Sequence, residues 1–300
     1  MTDPVRVIMW SVPRSCSSIV AKCMDRVPDS KILFQLYTGA YWDGLGQFNP
    51  PKVSSPVEEL HNAVVGTDSS HHPDEKSTYP WVKRQLEAHY PGKRFVFAKE
   101  MAYCIDGKFE YLPEGYRHIF LIRNPVKVFQ SFKRILPEIM AVEGQQMLGM
   151  GGGEFEVDKL PPHLVPPGFS FKEAVNLYEY LREKTIEAEP IILDSDDLMN
   201  NPATLLSEAL KRLGVQYQDA MLTWEKGMGV TDNWVIGQGV KKRIGHVSSF
   251  KNFRDSTGFF KSKAVAGALQ PIDSLAADVK RCVEFSMPYY TRLYERRLKI

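Results

Sequence analysis

Pro13-Arg14-Ser15-Cys16-Ser17-Ser18 places one guanidinium and three hydroxyls within six residues. A planar guanidinium grips phosphate-like oxygens at two points, and hydroxyls and backbone N–H groups add further donors. Val5 to Trp10 reads as a buried strand, Pro13 breaks it, and the residues from Ile19 onward repeat apolar positions at helical spacing. The hydroxyls therefore lie where a helix begins, among unpaired N–H groups and the positive end of the helix dipole, which is a natural anion site. An ordinary serine N-cap is the plainer reading of the same residues. The loop lacks glycine and has no Gly-Lys pair, both of which a G-x-x-x-x-G-K-[ST] triphosphate loop needs. A smaller 5′-phosphate group fits it better than a triphosphate with magnesium.

Two further clusters could face the same ligand. His118–Ile122 is a strand core that ends in Arg123, and Asn124-Pro125 is a helix start with an N-cap and a proline at the first helical position. Ser131 lies about two turns into that helix, so a fork of donors and a hydroxyl can meet at one anion. Arg94 to Ala98 is a compact apolar strand, with Lys99 and Glu100 at its carboxyl end. Charges there face the crevice in which parallel sheets bind ligands; a strand-end salt bridge is the alternative.

The elements that must position these groups alternate strand and helix, which predicts an α/β fold with a mostly parallel central sheet. A first helix ends near Asp25–Val27, and Lys31–Leu36 is a second strand. Tyr79–Tyr90 and Phe171–Glu187 read as helices, the second with Ala174, Leu177, Tyr178 and Leu181 on its buried face. Leu206, Ala209, Leu210 and Leu213 form the core stripe of a further helix that stops at Gly214. Tyr37 to Pro51 mixes aromatics with glycines, either as a pocket wall or as an irregular loop on the core. The region around 144–170, rich in glycine and proline, is a flap over an acceptor pocket or a long connector. Ser274–Met287 is a helix, and the basic, aromatic Tyr289–Ile300 packs on the body or on a second copy in a homodimer.

Composition narrows the class. The net charge of +2 gives no field that would predict nucleic acid or a membrane surface as a partner. Cys16, Cys23, Cys104 and Cys282 are scattered with no C-x-x-C pair, as expected of reduced thiols and not of a disulfide framework or zinc site. His71-His72 has no second pair at ligand spacing, so no metal is expected. No run approaches the ~18 apolar residues of a membrane span, and the first strand starts too near Met1 for a secretory signal. The expectation is a cytoplasmic protein whose residues 1–300 form a single domain.

These motifs together resemble the sulfotransferases that use 3′-phosphoadenosine 5′-phosphosulfate (PAPS). Pro13-Arg14-Ser15-Cys16-Ser17-Ser18 looks like their 5′-phosphosulfate loop, and Arg123-Asn124-Pro125 with Ser131 looks like their 3′-phosphate site. Ile191 to Leu198 with Pro202, Leu206, Leu210 and Gly214 is similar to their late strand, acidic turn and helix. Lys241-Lys242-Arg243-Ile244-Gly245-His246, leading to Phe250 and Ser256-Thr257-Gly258-Phe259, resembles their late basic-glycine loop. The resemblance implies a three-layer sandwich of the P-loop NTPase-like sulfotransferase fold. It implies sulfuryl transfer from PAPS to a hydroxyl or amine of a small-molecule acceptor, without a metal.

On that resemblance, Arg14, Ser15, Cys16, Ser17 and Ser18 hold the 5′-phosphosulfate, and Arg123, Ser131, Arg243 and Gly245 hold the 3′-phosphate. Lys99 matches a lysine near the bridging oxygen. Many members carry a histidine base two positions after that lysine, where this chain has Met101. Glu100 is the nearest substitute base and His246 the next. Cys16 replaces the usual loop glycine, and Ile19 replaces an aromatic that stacks on adenine. Two other classes stay open: a nucleotide-dependent kinase on the same general fold, and a family relative that binds nucleotide without turnover. A cysteine phosphatase would need an arginine where Cys16 is followed six positions on by Lys22.

Overall fold

Short apolar runs, rich in β-branched and aromatic residues, become the six strands of one parallel sheet. They are β1 (Val5–Ser11), β2 (Ser30–Phe34), β3 (Phe95–Met101), β4 (Arg117–Ile122), β5 (Ile191–Asp194) and β6 (Val235–Ile236), in the order β5-β4-β1-β3-β2-β6. This computed structural model describes residues 3–43, 78–142, 155–160, 162, 164–259 and 269–300.

Strand alternation sends successive side chains to opposite faces, and each face has its own core. Ile8, Trp10, Val96, Ala98, Phe120 and Ile122 pack on one side with α2 (Leu36–Asp43), α3 (Tyr79–Glu87), α4 (Pro125–Val142), α5 (Phe171–Glu183) and a late helix, Ala277–Tyr294. Val7, Met9, Phe97, Ile119 and Leu121 pack on the other with α1 (Ser17–Asp25), α6 (Ser195–Asn200), α7 (Pro202–Arg212), α8 (Gln238–His246) and α9 (Lys251–Asp255). The late helix is α10. The result is the three-layer α/β sandwich that the resemblance implies, and every strand pair is parallel.

Several boundaries differ from expectation. β3 runs on through Met101, because Lys99 and Glu100 continue the ladder opposite Met9 and Trp10. Leu36 belongs to α2 and not to β2, and the aromatic-glycine stretch begins as that helix; Asp43 is its last described residue. His71-His72 lies outside the described residues. Lys241–His246 is no loop but the body of α8. The helix expected over Ser274–Met287 begins at Ala277 and continues through Pro288 to Tyr294, absorbing the start of the supposed terminal segment. Much of 144–170 is outside the described residues, but Leu164 and Val165 are buried in the core. Among the described residues no helix is long and apolar enough to cross a membrane.

A buried polar contact joins the central strands. Trp10 Nε1 donates to His118 Nδ1 at 2.9 Å, and the imidazole's other nitrogen has no hydrogen-bond partner. Burial, with the Arg117 cation beside it, pushes His118 down to about 3. The folded state therefore keeps this imidazole neutral, while the unfolded chain takes up a proton near pH 6.5. Stability is present above that pH and is lost as the pH falls toward the folded value. His118 alone should remove about 2 kcal/mol between pH 7.5 and pH 5. Urea unfolding across that range should show the loss, and His118→Asn, which keeps an acceptor for Trp10, should flatten it; an equally steep decline in the variant would contradict this.

Candidate functional site

The sheet order reverses beside β1, so the carboxyl ends of β1, β3 and β4 open on one crevice, the position where such sheets hold ligands. A cavity of about 670 Å³ occupies it. The loop after β1 forms its floor. Arg14 and Cys16 both adopt the left-handed conformation, at φ 62° and 61°. That costs a residue with a Cβ about 1–2 kcal/mol, so Cys16 stands in glycine's geometry at a cost that glycine would not incur. The loop is held open by its own contacts: Ser15 Oγ donates to Val12 O at 2.7 Å, and Ser195 Oγ donates to Ser15 O at 2.8 Å. Ser15 is thus a fastening of the loop. Cys16 is the N-cap of α1 and makes no side-chain capping bond, which leaves the first turn, with Ser17 and Ser18, facing the cavity. The serine N-cap that the sequence also allowed is not what forms.

The second cluster arrives from β4 and α4. Asn124 Oδ1 caps the helix by accepting from Val126 N at 3.0 Å, as its Asn-Pro start predicts. Arg123 Nη1 donates to Arg14 O at 2.7 Å, and Arg14 Nε donates to Ser131 Oγ at 3.0 Å. Arg14 Nη1 also reaches Ser249 O at 3.2 Å. The two arginines expected at opposite ends of one ligand are therefore bonded into a single wall. Asp196, at the start of α6, pairs with Lys127 at 2.8 Å and with Arg123 at 3.6 Å. Burial, followed among the depressing causes by the Arg123 and Arg134 cations, lowers the Arg14 pKa.

Lys127 and Arg134 are cavity residues that the sequence reading missed. The signal was present, since Lys127, Ser131 and Arg134 stand four and three apart and share one face of α4. Arg243 lines the cavity from α8, but Gly245 and His246 do not, and His246 is exposed. Lys22, at the other end of α1, turns away to the carbonyls of Glu225 and Gly227.

β3 separates Lys99 from Glu100. Lys99 lines the cavity, fully buried, with Nζ 5.3 Å from the centre of the Phe34 ring. Glu100, one residue on, projects to the opposite face, where Oε1 accepts from Leu36 N at 2.5 Å and caps α2. Burial pushes the Lys99 ammonium down and the Glu100 carboxyl up, and their mutual attraction opposes both shifts. Glu100 is therefore a helix cap, not a group facing an acceptor; neither base candidate lines the cavity.

No family model matches the chain. The sulfotransferase domain from the curacin biosynthetic pathway superposes with a TM-score of 0.51 at 16% identity, covering 94% of this chain and 98% of that one. This is the sulfotransferase fold. Two curated plant proteins also match in sequence. Branched-chain-amino-acid aminotransferase-like protein 2 of Arabidopsis thaliana is 26% identical over 220 residues, 73% of this chain and 31% of that protein. Protein 1 of the same name is 22% identical over 274 residues, 88% of this chain and 38% of that protein. The chain spans about a third of the length of these relatives, so the aminotransferase-like name describes much larger proteins.

If Glu100 serves α2, its variants should be read in stability. Glu100→Gln keeps an acceptor for Leu36 N and should stay within about 1 kcal/mol of the parent, whereas Glu100→Ala strands a buried donor and should lose about 1–3 kcal/mol more. Urea unfolding of the two variants decides it; equal losses would contradict the capping role.

Proposed function

We propose that the protein transfers a sulfuryl group from PAPS to a hydroxyl or amine of a small-molecule acceptor. One observation carries the reading: along one cavity Arg123 donates to the Arg14 carbonyl and the Arg14 side chain donates to Ser131. The first turn of α1, with the Ser17 and Ser18 hydroxyls, would hold the 5′-phosphosulfate. Arg123, Ser131 and Arg243 would hold the 3′-phosphate, with Arg14 leaning from the loop toward the same end. The residues present suit such an anion: six cations line the cavity, Arg14, Lys99, Arg123, Lys127, Arg134 and Arg243.

In this reading Lys99 stands by the bridging oxygen and stabilises the charge that develops on the leaving 5′-phosphate. Sulfuryl transfer, like phosphoryl transfer, needs little beyond positioning and charge stabilisation, with a group to take the acceptor's proton. A nucleotide-binding relative without turnover is the second reading. It is favoured by the placement of Glu100 under α2 and of the exposed His246 outside the cavity.

Thermal unfolding with nucleotides tests the proposal. A ligand at ~100 times its dissociation constant stabilises by about 2.7 kcal/mol. 3′,5′-ADP should reach that value where ADP and ATP with magnesium do not, and Arg123→Met should abolish the effect. Preference for ATP with magnesium would overturn the reading in favour of a kinase. Binding of 3′,5′-ADP with no sulfuryl transfer from PAPS to any of a panel of hydroxyl and amine acceptors would support the second reading.

A further inference from the structure

We propose that Glu138, near the end of α4, is a positioning residue for the nucleotide: it clasps the corner between α8 and α9 against α4 and so keeps Arg243 within reach of the 3′-phosphate. The inference rests on the transfer reading above and adds a residue to the grip on its nucleotide.

Lys127, Ser131, Arg134 and Glu138 stand four, three and four residues apart, so they form one stripe along α4. The first three line the cavity and offer donors; the fourth is a carboxylate, which repels an anion. Glu138 is not part of the cavity wall. Its partner is not Arg134, one turn back on the same face, but Ser248 from the α8–α9 corner. Oε1 accepts from Ser248 N at 2.6 Å, and Oε2 accepts from Ser248 Oγ. These two bonds, with the Arg254 cation nearby, hold the carboxyl below the usual carboxylate range. The clasp therefore carries its charge at neutral pH.

Ser248 opens the single 3-10 turn, Ser248–Phe250, that links α8 to α9. Just before it, Val247 N donates to Arg243 O at 2.9 Å. Just after it, the Ser249 carbonyl accepts from Arg14 Nη1. Arg254 Nη1 donates to Ile244 O at 2.5 Å and to Val247 O at 3.0 Å, which fastens α9 to the end of α8. The corner is thus cross-linked into one piece, and it carries Arg243, Val247, Ser249, Phe250 and Phe253 of the cavity wall. A clasp at the surface adds little to the stability of the fold. Its effect falls instead on the direction from which Arg243 meets the ligand, since a charge-assisted hydrogen bond weakens steeply once its geometry is lost.

Calorimetric titration of 3′,5′-ADP and of 5′-AMP, which lacks the 3′-phosphate, separates this role from a merely structural one. Glu138→Ala should weaken 3′,5′-ADP about tenfold, the lower end of what one charge-assisted phosphate contact contributes, and leave 5′-AMP within about twofold. Glu138→Gln, whose amide can accept from Ser248 N and donate to Ser248 Oγ, should stay within about threefold of the parent for both nucleotides. Ser248→Ala, which cuts the clasp from its other side, should weaken 3′,5′-ADP alone by about threefold. In an Arg243→Met background, Glu138→Ala should cost nothing further, because the clasp acts through that guanidinium. Thermal unfolding without nucleotide checks that each variant folds. An unchanged affinity for 3′,5′-ADP in Glu138→Ala and Ser248→Ala, equal weakening of the two nucleotides, no rescue by Glu138→Gln, or the same loss with and without Arg243 would overturn this inference and leave the transfer reading standing. Failure of the parent protein to bind 3′,5′-ADP would overturn both.

Discussion

The hydrogen bond from Arg123 Nη1 to the carbonyl of Arg14, at 2.7 Å, ties the end of β4 to the loop after β1. Without it the two donor clusters would be separate features of neighbouring strands. With it, the carbonyl is turned into the guanidinium, the loop's left-handed residues are pinned, and the Arg14 side chain is directed across to Ser131. Its consequence is electrostatic as much as geometric. Like charges held this close repel, and the folded state tolerates them because carbonyls, a hydroxyl and Asp196 share the load. In the proposed reading an anion completes this wall.

The sheet supplies the rigidity this requires. β1, β3 and β4 are hydrogen-bonded neighbours with buried side chains on both faces, so the three carboxyl ends are set relative to one another before any ligand arrives. The same alternation separates Lys99, which faces the cavity, from Glu100, which caps α2 on the opposite face. Adjacent residues in a strand thus face two different surroundings, one the cavity and the other the start of α2.

Much of this was legible in the chain. The apolar runs marked the strands, Asn124-Pro125 marked the start of α4 through a cap that forms as written, and the loop's hydroxyls marked the opening of α1. What was illegible depended on tertiary direction. Glu100 beside Lys99 reads as a second crevice charge until the strand is seen to extend through Met101, since a period of two then sends it to the opposite face. Lys241–His246 reads as a basic loop because charge is conspicuous, but Val240 and Ile244 are its buried stripe and make it a helix. Lys127 was overlooked because Arg123 and Ser131 were paired by their motif spacing and the face of α4 that carries Ser131 was not followed back one turn. Asp196 could not be assigned from sequence, because its partners lie about seventy residues away.

The central claim is that one nucleotide spans both cradles, and calorimetric titration with 3′,5′-ADP, 5′-AMP and 3′-AMP addresses it most directly. Each phosphate engaged by charge-assisted hydrogen bonds should contribute about 1.5–3 kcal/mol. Both monophosphates should then bind roughly tenfold to a hundredfold more weakly than the bisphosphate. If 5′-AMP or 3′-AMP alone binds as tightly as 3′,5′-ADP, only one cradle is engaged, and the joined wall of Arg14 and Arg123 does not serve a single ligand.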